Sequence, residues 1–431
     1  MSRYKPYPAY KDSGVEWIGQ VPEHWENLRI KRSARLRNER RNDSPAGLPY
    51  VGLEDIEPES GRYVPTTGTS RQSDDSMVGV FRADDVLYGK LRPYLRKAIV
   101  AEQDGVCSTE FLVLSAERAS APWLHRWLLT SEVTQQIEAG CEGAKMPRTD
   151  WEHVGSIPMP LPSLVEQTAI AAAIDRENSR IDALIAKKTR FIELLKEKRQ
   201  ALITQAVTKG LDPTVPMKDS GVEWIGEVPA HWKMLKVGRV TKRVKTGGTP
   251  SGAGQEMFSE QGENWFSPAD FRSNLYLTES TRRLSEQGSA LVRKFPAETV
   301  LLVGIGATIG KVGIAERECS CNQQINAIVC ADDVAPEFLA HRLGAARDFI
   351  IKCGKYTTLP IINQEDTRAL PVPLPSIEEQ REIVSMINEQ TQRLDRVVEK
   401  TLTSIDLLKE RRSALITAAV TGQIDLRENA A

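Results

Sequence analysis

The side chains in this sequence best placed to act on a ligand are cations. From Arg29 the chain carries Arg29, Lys31, Arg32, Arg35, Arg37, Arg40 and Arg41 against a single acid, Glu39. After Trp232 it carries Lys233, Lys236, Arg239, Lys242, Arg243 and Lys245 with no acid. Positive charge keeps register between the two runs at Arg29/Lys236, Arg32/Arg239 and Arg35/Lys242. Spacing by three predicts one face of a helix, and such a face would track phosphates. A lone basic run can equally be a solvated face; recurrence in register points toward phosphate. Two turns add further candidates. "DDVLYGKLRPYLRKAIV" from Asp84 carries Lys90, Arg92 and Tyr94, and "ETVLLVGIGATIGKVGIA" from Glu298 carries Thr308 and Lys311. In "CNQQINAIV", Gln323, Gln324 and Asn326 have amides able to read adenine edges bidentately, although amides on strands more often serve as ordinary hydrogen-bonding groups.

Catalytic patterns fail when tested. "GIGATIGKV" is no phosphate loop, because Ile305 stands where the first glycine should be and Val312 where Ser or Thr is required. Gly304 and Gly306 lack the third glycine of a dinucleotide fingerprint, Ile309 occupying it. Six cysteines form no CxxC pair and five histidines are scattered singly, so neither a zinc site nor a disulfide framework is indicated, and reduced, buried thiols are expected. No catalytic centre, metal or cofactor is expected on this chain.

Net charge is −1, so any basic surface must be local. With 431 residues and 40% apolar content the chain can form several domains. No apolar run approaches the roughly 20 residues of a membrane span, and "MSRYKPYPAYK" lacks the apolar region of a signal peptide, so a cytoplasmic protein is expected.

The elements that must position these cations are duplicated. "KDSGVEWIGQVPEHW" from Lys11 recurs from Lys218 as "KDSGVEWIGEVPAHW", and "PMPLPSLVEQTAIAAAI" from Pro158 recurs from Pro371 as "PVPLPSIEEQREIVSMI". The intervening segments, roughly 29–157 and 236–370, have little in common and read as mixed α/β. Ser163-x-x-Glu166 and Ser376-x-x-Glu379 predict capping boxes that start helices. Apolar residues then recur at Ile174, Ile181, Ile185, Ile192, Leu195 and Leu202, with Asn178, Lys188 and Arg199 on the same seam. The second copy gives Ile387, Leu394, Val398, Ile405, Leu408 and Leu415. A seam from Glu166 to Thr208, about 65 Å at 1.5 Å per residue, wants a helical partner, and the other copy is the nearest. Antiparallel pairing would place the two globular segments at opposite ends about an approximate twofold axis, which suits two half-sites on a duplex. A scaffold whose coiled coil only separates interaction domains, or a free-standing DNA-binding regulator, stands as the alternative.

The opening motif, the variable segment, the "PLPS" helix start, and the whole pattern again resemble the DNA-specificity subunit of type I restriction-modification systems over essentially the full length. "KMPRTDW" and "TTLPIINQED" look like target-recognition segments of that family, which adds Lys145 and Arg148 to the candidate DNA contacts. "GGTPS" at 247–251 has no counterpart in the first half. The resemblance implies a mixed α/β fold with two tandem target-recognition domains (1–157 and 213–370), each followed by a long helical spacer (158–212 and 371–431), the helices pairing as an antiparallel coiled coil. It further implies a non-catalytic subunit on double-stranded DNA, two modification subunits carrying S-adenosylmethionine, and restriction subunits carrying ATP and Mg. The opening motif is expected to anchor each recognition domain on the helices rather than to touch DNA.

Overall fold

The computed structural model describes residues 4–42, 48–65, 77–143, 145–251, 254–272, 274–353, 355–356 and 360–427; Thr357–Leu359 of "TTLPIINQED" lie outside them. The chain forms two compact units, one of residues 1–189 with 402–431 and one of residues 190–401. These units cut across the linear partition into recognition domains and spacers, because each takes part of both long helices.

In the first unit an antiparallel sheet orders strands Ala34–Leu36, Phe111–Ala116, Asp85–Gly89 and Ala98–Val100. A second sheet joins Arg40–Arg41, Val78–Phe81, Gly105–Cys107 and Tyr50–Val51, the last pair parallel. In the second unit the corresponding sheet orders Thr241–Thr246, Ile325–Cys330, Val300–Val303, Val312–Ala315 and Tyr276–Leu277. The two "variable" segments, unlike in sequence, are the same fold. Val86 lies opposite Val100, and Val300 opposite Ile314; Leu114 lies opposite Val86, and Ile328 opposite Val300. Each pair is offset by 214 residues. What repeats is pairing register and the burial of β-branched and leucine side chains, a requirement many sequences meet.

The helix Leu164–Lys209 and the helix Ile377–Val420 are 46 and 44 residues long. Inside the first unit Ile170, Ala173 and Ile174 share a core with Leu415, Ala419 and Val420, and Arg412 Nη1 donates to Asp182 Oδ1 at 3.0 Å. Inside the second, Ile203, Ala206 and Val207 share a core with Ile383 and Ile387, while Arg199 lies 3.7 Å from Asp395. Numbers rise on one helix as they fall on the other, so the pairing is antiparallel. The predicted seam faces inward throughout. Ile174, Ile181, Ile192, Leu195, Ile387, Ile405 and Leu415 are buried, and Ile185, Leu202, Leu394, Val398 and Leu408 are half-buried. Thr391 and Thr401, skipped by an apolar count, fill the remaining positions of the second helix and are buried.

The helix starts differ from the capping box that the sequence predicts. Ser163 Oγ accepts the Glu166 amide and Ser376 Oγ the Glu379 amide, both at 3.3 Å, but the carboxylates turn to the opening motif. Trp25 Nε1 donates to Glu166 Oε1 at 3.1 Å, and His24 Nε2 lies 2.9 Å from Oε2. Trp232 Nε1 donates to Glu379 Oε1 at 2.9 Å, and His231 Nε2 lies 3.0 Å from Oε2. Both indoles are fully buried, and a buried N–H left without an acceptor costs more than an exposed serine amide. The next residue, Gln167 or Gln380, is also buried; its amide oxygen accepts from Ser120 N (2.7 Å) or Ala335 N (2.8 Å) at the start of a shorter helix. The duplicated Glu-Gln pair therefore joins each long helix to its motif and to its recognition segment.

Candidate nucleic-acid interface

The basic residues after Trp25 and Trp232 do not lie on a helix. Arg29 ends the strand Glu26–Arg29, Arg32 sits in the 3-10 turn Ile30–Arg32, and Arg35 lies in the strand Ala34–Leu36. Lys236, Arg239 and Lys242 occupy the strand Lys233–Lys236, the turn Val237–Arg239 and the strand Thr241–Thr246. Strand pairing overrides the spacing: Arg29 lies opposite Pro158 and Lys236 opposite Pro371. All six are exposed, but Arg35 Nε is 2.6 Å from Glu117 and Lys242 is paired with Asp332, so these two carry their own counter-ions.

A better-defined surface forms at the loop that follows each central strand. In the first unit Lys90 N donates to Glu110 O at 2.9 Å, Arg92 N to Pro147 O at 2.8 Å, and Thr149 N to Lys90 O at 3.0 Å. These bonds bring Lys90, Arg92, Tyr94, Lys145 and Arg148 onto one loop cluster; Tyr94 is exposed, and Arg148 binds Glu110 through Nη2 (2.7 Å) and Nε (3.2 Å). In the second unit Gly304 N donates to Gln324 O at 2.8 Å and Ile362 N to Gly304 O at 2.8 Å, which gathers Thr308, Gln323 and Gln324 in the same way. Gln323 is exposed and its amide oxygen accepts from Thr249 Oγ1; Gln324 accepts from Asn322 Nδ2 at 3.0 Å. Neither side-chain amide nitrogen makes a hydrogen bond among the described residues. The partners Thr249, Glu110 and Asn322 carry no signal in the sequence, being 20 to 75 residues from, or merely adjacent to, the side chains they fix.

Two candidates prove to be braces. Asn326 is 2% exposed: it donates to Ile362 O (2.9 Å) and Thr367 Oγ1 (3.0 Å) and accepts from Thr246 Oγ1 (2.8 Å), so its amide has nothing left for a base edge. Lys311 Nζ donates to Phe271 O at 3.0 Å, as Lys97 Nζ, its equivalent, donates to Leu53 O at 2.7 Å.

The loop backbone is unusual at two places. Arg92 and Arg96 have φ of 52° and 47°, and their equivalents Gly306 and Gly310 have φ of 97° and 79°. Glycine takes this left-handed region freely, whereas an arginine there costs of order 1 kcal/mol. Buried titratable groups lie elsewhere: burial pushes His125 and His341 down to about 4, and drives the thiols of Cys107, Cys319 and Cys330 up to about 12. Among the described residues no group of three or more His, Cys, Asp or Glu could hold a metal, and no helix is long and apolar enough to cross a membrane.

Residues 229–405 match the family model described as the type I restriction modification DNA specificity domain. The putative type I restriction enzyme MjaX specificity subunit of Methanocaldococcus jannaschii is 21% identical over 95% of this chain and 96% of its own length. The EcoDI specificity subunit of Escherichia coli is 22% identical over 46% of each chain, so this chain spans about half of that relative. Among solved structures, a chain from work on complex assembly and conformational transition of the type I R-M system superposes with TM-score 0.72, 21% identity, and coverage of 93% of this chain and 98% of that one. The HsdS subunit crystal structure from Thermoanaerobacter tengcongensis gives TM-score 0.55 at 21% identity, covering 94% and 98%. These likenesses bear on the fold.

Proposed function

We propose that this chain, similar in sequence to type I restriction-modification specificity subunits, is a non-catalytic DNA-reading subunit that addresses methyltransferase and restriction subunits to a bipartite site. The observation that carries this reading is one frame built twice with different loop side chains: Lys90, Arg92, Tyr94 and Glu110 in one unit stand where Gly304, Gly306, Thr308 and Gln324 stand in the other. A constant frame with divergent loops is what reading two unlike half-sites requires.

The paired helices would set the spacer between half-sites. Leu184, Phe191 and Leu194, spaced by 7 and 3 on the first long helix, are exposed, as are Leu402 and Leu407 on the second. Exposed apolar side chains on one face, as Leu184, Phe191 and Leu194 are spaced, suit docking of a partner helix, which supports seating modification subunits there. In this reading S-adenosylmethionine belongs to those subunits, ATP and Mg to restriction subunits, and no cofactor to this chain; a bacterial or archaeal cytoplasm would be its compartment.

Mapping methyladenine in a host with and without this gene, expressed beside its neighbouring methyltransferase genes, tests the proposal. A bipartite motif appearing only with the gene supports it. If this chain binds DNA but never co-elutes with a methyltransferase subunit and no motif appears, a free-standing regulator is the better reading.

A further inference from the structure

The two equivalent loops differ at a position where conformation and residue type disagree. The loop after strand Asp85–Gly89 and the loop after strand Val300–Val303 share their bracketing hydrogen bonds, Gly89 N to Lys97 O (2.8 Å) and Val303 N to Lys311 O (2.9 Å), and their inner turn, Leu95 N to Arg92 O (2.9 Å) and Ile309 N to Gly306 O (3.1 Å). Both loops need left-handed backbone at two positions, and the second unit supplies glycine at each. The first unit places arginine at both against that preference, so each arginine side chain has a task that outweighs the strain. For Arg96 the task is internal: its guanidinium is mostly buried and lies 2.6 Å from Glu59. Arg92 is exposed, and its guanidinium makes no hydrogen bond or ion pair among the described residues.

We infer that Arg92 is a base-reading residue of the first unit, presenting its guanidinium fork to a guanine edge in the major groove, while the equivalent Gly306 leaves that position in the second unit to the neighbouring Gln324. The inference rests on the DNA-reading function proposed above. A phosphate contact needs charge nearby but no fixed direction, and Lys90 and Lys145 on the same cluster supply that. The Arg92 backbone is held from both sides, by Arg92 N on Pro147 O (2.8 Å) and by the Leu95 amide on its own carbonyl (2.9 Å), which fixes the point from which the side chain leaves the loop. From that fixed point the unpaired guanidinium is free to offer the planar, bidentate pair of donors that guanine O6 and N7 require. In the second unit a side chain at position 306 would start 3.9 Å from Gln324 Nε2, so that amide occupies the space beside the glycine.

The test is methylome mapping of cells expressing the full chain with its methyltransferase partner, comparing wild type, Arg92→Gly, Arg92→Lys and Arg96→Gly. Gly306 shows that glycine suits this backbone, so Arg92→Gly should unfold no earlier than wild type. The expected result is relaxation of one G·C position in one half of the motif, with roughly 5- to 150-fold lost discrimination there and the other half unchanged. Arg92→Lys should relax the same position despite keeping the charge, and Arg96→Gly should leave the motif intact. An unchanged motif in Arg92→Gly, or methylation weakened equally at every sequence as loss of a phosphate contact would give, overturns the inference. Absence of any bipartite motif with the wild-type chain would instead overturn the proposed function.

Discussion

Removing the Glu166 carboxylate is the sharpest perturbation of the frame. It is 6% exposed and accepts the fully buried Trp25 indole N–H at 3.1 Å, with His24 at 2.9 Å and Arg427 at 3.5 Å around it. In Glu166→Ala the indole N–H is stranded without an acceptor, a loss of about 1–3 kcal/mol. The first turn of a 46-residue helix also loses its acid, which adds about 0.3–1 kcal/mol. The expected destabilisation is therefore roughly 1–4 kcal/mol. Glu379 makes the same bonds but its side chain is 26% exposed, so water can reach Trp232 when the carboxylate is gone; Glu379→Ala should fall near the low end, about 1 kcal/mol. Glu378, an exposed first-turn acid that holds neither indole nor imidazole, is the control, and its alanine variant should show only the small loss that goes with removing a helix-start acid. Amide hydrogen exchange of the Leu164–Ala171 and Ile377–Val384 turns, read beside denaturant unfolding of the full chain, resolves each helix start separately. If Glu166→Ala and Glu378→Ala lose the same protection, the clasp contributes nothing beyond the helix dipole and the reasoning fails.

Further outcomes are expected. Asn326→Ala should lower stability by about 2–4 kcal/mol, because the Ile362 carbonyl and two threonine hydroxyls lose their partner, while the methylated motif stays the same; a relaxed motif would return Asn326 to the base readers. His125 and His341 titrate near 4 in the fold against about 6.5 unfolded, so the unfolded chain binds more protons between those values and stability should fall as pH drops from about 6.5 toward 4. Unfolding midpoints across that window should flatten in His125→Gln, whose side chain does not titrate, and an unaltered slope would remove His125 from the account. Deleting one heptad from each long helix shortens the pair by about 10 Å, which corresponds to roughly 3 base pairs of B-DNA, so methylome mapping should show both half-sites kept and a shorter spacer. The same two half-sites at the original spacing would refute the ruler.

The helices were the most legible part of the molecule, because a heptad seam demands a helical partner; its polar residues Asn178, Lys188 and Arg199 are half-buried. The candidate interface was legible only in part. Arg92 and Tyr94 could be placed on a turn from their surroundings, yet nothing local showed that Asn326 would be sealed under Ile362 and Thr367, some 40 residues later. The basic runs misled for a related reason. Spacing by three has a helical meaning only if the backbone is helical, and Arg29 is drawn into a strand by Pro158, far along the chain. Glu166 shows the same limit, since its sequence neighbours announce a capping box while Trp25 takes the carboxylate.

The division of the chain between its two units bears on how the molecule is made. Residues 190–401 form their unit from one continuous stretch, whereas the first unit draws on residues 1–189 and 402–431. The core around Trp25, Trp123 and Trp127 is closed by Leu415, Ala419, Val420 and Leu426. At 5–20 residues per second, ribosomal synthesis leaves that core waiting on the order of ten to forty seconds for its last helix. The unit synthesised first is thus the one completed last, with its apolar side open throughout. Nascent chains should pass through a state in which the later unit is protease-resistant and the earlier one is not, a window in which chaperones, or the end of another copy's second helix, compete for the same open core.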